Sequence, residues 1–122
     1  MDRGADIIFG AGGNTGNGAL IGTVERGRWA IGVDADQYDT VPESKRGLLS
    51  SAMKLLSPAT AQLIRTAKEG AFRPGLFTGE VALAPFHDLD AQVPAQVRSR
   101  LAEINRGLAD GSIKTGVPAV KP

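Results

Sequence analysis

The sequence predicts an α/β domain, a Rossmann-like parallel sheet flanked by helices, and three observations predict it. Apolar runs at residues 5–9, 29–33 and 48–54 have the length of buried strands. A glycine-rich loop at residues 10–18, GAGGNTGNG, follows the first run and leads into a helix-forming stretch. The order strand, loop, helix, strand is completed within about 30 residues, which is one parallel βαβ unit.

Each element follows from local sequence. Residues 5–9 (Ala-Asp-Ile-Ile-Phe) read as a buried strand ended by Gly10, with Phe9 and Trp29 as core residues. ALIGTVE, residues 19–25, forms about two helical turns weakened by Gly22. Asp34 ends the second strand. Residues 35–47 are polar, contain Pro42 and Gly47, and read as a surface loop. LLSSAMK, residues 48–54, reads as a third strand ending in Lys54. Ser57 and Pro58 suit an N-cap and first helical residue. The helix they open runs to about Glu69, with Ala61, Leu63, Ile64 and Ala67 inward and Gly70 just past its end. Residues 80–85 alternate and form an edge strand closed by Pro85. A last helix from near Pro94 carries the stripe Val97, Leu101, Ile104 and Leu108 and stops at Gly111. Residues 112–122 form a proline-containing tail. Nothing marks an internal repeat or linker, so residues 1–122 are read as a single domain.

Composition narrows the function. The chain has 122 residues, 42% hydrophobic and 22% charged, with a net charge of +1. That balance gives no electrostatic case for nucleic acid or anionic membranes. With no cysteine and one histidine, disulfide scaffolds, thiol catalysis and zinc–thiolate sites are excluded. Met1 is followed by Asp2, Arg3 and Gly4, not by a basic and then apolar leader, and no run approaches the roughly 18 apolar residues of a membrane span.

Three sequence features are candidates for ligand binding. The glycine-rich loop 10–18 presents backbone N–H groups to a ligand at a helix start. The spacing misses a dinucleotide fingerprint, since Thr15 stands where a third glycine belongs, and no Lys follows as in a P-loop. A sugar, a nucleoside or a carboxylate would suit this loop equally. Asp34 ends the next strand, where an ionised carboxylate faces the crevice at the carboxyl ends of parallel strands and matches a vicinal diol. Asp36 and Gln37 add polar reach. Lys54 ends the third strand on the same side, placed to hold Asp34 and to donate to a ligand. His87 with Asp88 and Asp90 reads as a loop and not as an acid–base or metal cluster.

The order of ADIIFGAGGNTGNGAL, WAIGVDADQ, LLSSAMK, a helix ending EGAF, GEVALAP and a helix ending ADGSIK resembles the basic membrane protein family, the substrate-binding lipoproteins of ABC transporters that include purine-nucleoside receptors. The resemblance implies the fold of part of the C-terminal lobe of a type I periplasmic binding protein. It implies nucleoside binding without chemistry, Asp34 on the ribose hydroxyls, Lys54 beside it, and Gly12 and Gly13 lining the cleft. The partners it implies are a nucleoside-like small molecule, a missing N-terminal lobe and an ABC permease. A homodimer through an exposed sheet edge is a further expectation. No cofactor and no nucleic acid are expected. The family is periplasmic or anchored outside the cytoplasmic membrane, whereas this chain as written, with no export signal, is expected in the cytoplasm as a truncated lobe. The alternative is a small Rossmann-like nucleotide-binding or regulatory domain without a transport role.

Overall fold

A computed structural model describes residues 3–117. Residues 1–2 and the end of the proline-containing tail, 118–122, lie outside the described residues. The chain forms two compact units, residues 1–90 and 91–122.

The first unit is a four-stranded mixed sheet with helices. β1 (Ile7–Phe9), β2 (Trp29–Asp34), β3 (Leu48–Lys54) and β4 (Val81–Leu83) lie side by side in chain order. β1, β2 and β3 run parallel, and β4 is antiparallel to β3 at the edge. The wholly parallel sheet expected from the sequence is corrected there, because the return after α3 (Leu56–Lys68) brings the chain back beside Lys54, where Leu55 N–H meets the Glu80 carbonyl at 3.0 Å.

The glycine-rich segment is less of a loop than its composition suggests. α1 starts within it and runs Gly13–Glu25. Its close approach to β1 requires glycine at two places. A Cβ on Gly16 would sit 2.1 Å from the Gly10 carbonyl oxygen, and one on Gly10 would strike Leu20 at 2.6 Å. This contact drives Leu20 and Val24 of α1 against Ala30 of β2 and Leu48 of β3, which together form the core. The polar stretch 35–47, expected as a loop, is instead a short helix α2 (Gln37–Thr40) and a 3-10 segment (Pro42–Gly47). Asp36 caps α2 by accepting the Tyr38 N–H at 3.1 Å.

α1 and α2 cover one face of the sheet. Ala30 and Gly32 point into that layer and are buried, so the alternation of β2 sends Trp29, Ile31 and Val33 to the other face. Register places Ile7 beside Trp29, Phe9 beside Ile31, and Leu83 beside Ala52 on that second face. Ile7 and Phe9 are 44% and 54% exposed there, so β1 is not the buried strand, nor Phe9 the core residue, that the apolar run implied. α3 begins two residues earlier than expected, with no side-chain cap from Ser57, and contributes no buried residue; Ile64, expected inward, is exposed.

The second unit contains α4 (Ala95–Asp110). Gly111 ends it in the left-handed conformation at φ 77°, as glycine past a helix end does. Two hydrogen bonds from Ser112 hold the Asp110 carboxyl below its ordinary value. The expected stripe is only partly sheltered, with Val97 and Leu108 exposed.

Candidate functional site

The carboxyl ends of β1, β2 and β3 form one edge, and three of the four candidate residues mark the ends of β1 and β2 while the fourth marks β3. Gly12 and Gly13 follow β1, Asp34 closes β2, and Lys54 closes β3. Lys54 Nζ lies 2.6 Å from Asp34 Oδ1. Both side chains are more than half exposed, so the pair is worth little in stability and its significance is placement. Gly13 adopts φ 53°, which a side chain would resist, whereas Gly12 is extended at φ −173°.

Asp34 carries local strain. Its φ is 72°, and Ala35 N–H donates to the Val33 carbonyl at 2.9 Å, which closes a γ-turn around Asp34. Turns of this hand are rare, and a non-glycine residue held so costs about 1–3 kcal/mol. Among the described residues, only Asp34 and His87 (φ 46°) adopt positive φ without being glycine.

The side chain that ties the edge together is Gln37. It is 7% exposed. Val33 N–H donates to its Oε1 at 2.7 Å, its Nε2 donates to Asn17 Oδ1 at 2.7 Å, and its own N–H donates to Ser51 Oγ at 3.0 Å. One residue thus joins β2, β3 and the helix that grows from the glycine-rich segment. Gly32 is glycine for the same reason: a Cβ there would lie 2.5 Å from Ser51 Oγ and 2.6 Å from Gln37 Oε1. The sequence flags Gln37 only as polar reach. Its partners stand 20 residues before it and 14 after it, separations that carry no periodic signal.

His87 belongs to a second polar group beside this edge. Its Nε2 lies 2.8 Å from Asp36 Oδ2, and its ring stacks on Tyr38 with centroids 4.0 Å apart and planes 18° from parallel. Tyr38 OH donates to Asp88 Oδ2 at 2.7 Å. Lys45 Nζ stands 4.2 Å from the Tyr38 ring centre. Since His87 occupies one face of that ring, the ammonium takes the other.

Comparison with known proteins places the chain beside regulators and antigens by name. No family model matches it. It is 32% identical over 130 residues to a CD4+ T-cell-stimulating antigen of Listeria monocytogenes, a match that covers 91% of this chain and 36% of the antigen. The Listeria innocua protein of the same name is 31% identical over the same shares. The crystal structure of a transcriptional activator of the comK gene from Bacillus halodurans has a similar fold, with a TM-score of 0.73, 22% identity, and coverage of 87% of this chain and 37% of that one. The chain therefore spans a little over a third of the length of the relatives it matches.

These findings overturn the transport reading. No basic membrane protein model is matched, and the similar proteins carry the names of an antigen and a transcriptional activator, not of a substrate-binding lipoprotein. The nucleoside-like ligand, the ABC permease, the missing-lobe partner, the sheet-edge homodimer and the membrane association expected with that family are withdrawn with it. Geometry adds a physical reason on the ligand side. The Asp34 carboxylate, 52% exposed and paired with Lys54, carries no feature that singles out ribose hydroxyls over other polar groups. Among the described residues no helix is long and apolar enough to cross a membrane.

Proposed function

We propose that the chain is a Rossmann-like regulatory domain that recognises a small polar effector at the carboxyl edge of β1, β2 and β3, and that it binds without catalysing a reaction. The observation that carries this reading is the strained γ-turn that presents Asp34 to Lys54. Strain at a non-glycine residue is retained where the surrounding structure over-determines it, and such positions cluster at ligand clamps and switches. A Lys–Asp pair open to solvent offers both an acceptor and a donor, and an effector carrying both charges can exchange with it at low cost. Gly12 and Gly13 flank the pair with bare backbone. The regulatory part of the reading draws support from the name of the Bacillus halodurans activator; at 22% identity that likeness concerns fold, and the function is our inference.

The test is ligand-observed NMR with amino acids, sugar phosphates and mononucleotides, on the wild type, Asp34→Asn and Asp34→Gly. A probe that binds the wild type should lose about 1–3 kcal/mol with either variant, the usual loss when a charged hydrogen-bond partner goes. In urea, Asp34→Gly should be more stable than the wild type by about 0.5–1 kcal/mol, because glycine relieves the positive φ. Equal binding by all three proteins would remove Asp34 from the site.

A further inference from the structure

We infer that His87 and Asp36 are positioning residues: the imidazole–carboxylate contact between them clips the segment after β4 to the start of α2 and thereby holds the γ-turn that presents Asp34. The inference deepens the reading of the Asp34 edge as a recognition site and rests on it for its purpose, but not for its geometry.

One residue, Ala35, lies between Asp34 and Asp36, and Asp36 uses both carboxylate oxygens. Oδ1 accepts the Tyr38 N–H at 3.1 Å and Oδ2 meets His87 Nε2 at 2.8 Å. One end of the turn is therefore fixed to α2 and, through His87, to a segment 51 residues later in the chain. The other end is fixed by Val33 N–H on Gln37 Oε1. A short loop pinned at both ends cannot relax its central residue, so Asp34 stays at φ 72°.

The far end of the clip is itself over-determined. His87 holds φ 46°, its ring is stacked on Tyr38, and the next residue, Asp88, accepts the Tyr38 hydroxyl. The two strained non-glycine residues among those described are thus coupled through one contact. His87 and Asp36 are both about one-quarter exposed on their side chains, which keeps the contact from being freely exchanged with water while leaving it open to release. What loosens the clip reaches Asp34, and what pulls on Asp34 reaches the segment leading into residues 91–122.

Amide hydrogen exchange by NMR on the full chain tests this, using Val33 and Gln37, whose hydrogen-bonded N–H groups flank the turn. His87→Ala should speed both by about fivefold, the factor one net hydrogen bond controls. His87→Gln, which restores a side-chain donor, should recover most of that protection. Asp36→Ser keeps a capping oxygen for Tyr38 but is too short to reach His87, and should behave like His87→Ala. The Gly10 amide, bonded to Ile31, should not change in any variant. Unaltered exchange at Val33 and Gln37 in either His87→Ala or Asp36→Ser overturns the clip, as does equal loosening of Gly10. Should His87→Ala fail to fold, Asp36→Ser alone decides. Failure of the effector screen with these exchange shifts intact would sink the recognition reading and leave the clip standing.

Discussion

Tyr38 is where single-residue chemistry is most open to measurement. The hydrogen bond to Asp88 stabilises the neutral phenol, and burial and the charges of Asp88 and Asp39 act in the same direction, so its pKa is raised above the ordinary 10.0. The folded protein holds this proton more tightly than the unfolded chain, so the contribution is complete below pH ~10 and disappears as pH rises through the folded pKa. Tyr38 is the sole tyrosine, and phenolate absorbance therefore reports it without ambiguity. Asp88→Asn should bring its titration back toward the ordinary value; a midpoint identical to the wild type's would contradict the Tyr38–Asp88 bond. The neighbouring carboxylates differ in kind. Asp34 is held in a costly backbone shape and Asp36 in a favourable capping one, though both read alike in sequence.

At the scale of elements, the fit of α1 against β1 governs the rest. A Cβ at position 16 meets backbone, which cannot swing aside, so Gly16→Ala should destabilise the fold by about 1–3 kcal/mol or more in urea unfolding. Gly18→Ala, with open space around it, is the control and should be neutral or mildly stabilising. The same comparison shows what the sequence makes legible. Strands β2 and β3, their order, and Lys54 beside Asp34 follow from apolar runs bounded by polar ends. The helical start inside GAGGNTGNG does not, because glycine's poor helix propensity is overridden by a packing demand visible only when β1 is in place. The glycine that allows close packing stands at 16, one residue beyond the fingerprint spacing, so a search for that spacing passes over it. α2 was hidden by its four-residue length, and the reversal of β4 by the absence of any local signal for strand direction. Gln37 was invisible as a hub because its bonds depend on three elements already assembled.

The first unit, the larger part of the chain, is one-sided. Leu20, Val24, Ala30 and Leu48 make a small core beneath the helices, while the opposite face of the sheet leaves Ile7, Phe9, Val81 and Leu83 in contact with water. An exposed apolar surface of this kind should bind the dye ANS in the native state. Phe9→Ser combined with Leu83→Thr should reduce that fluorescence by about half at unchanged secondary structure, as expected if the patch and not partial unfolding is the source. Unchanged dye binding in the double variant would place the source elsewhere. The Gln37 junction has an outcome for inheritance as well. Asn17 Oδ1 and the Val33 N–H share the Gln37 amide side chain, while Ser51 Oγ takes the Gln37 backbone N–H, so alleles at 17 and 37 will show epistasis: a change harmful at one is compensated by a second at the other, and the two sites drift as a linked pair.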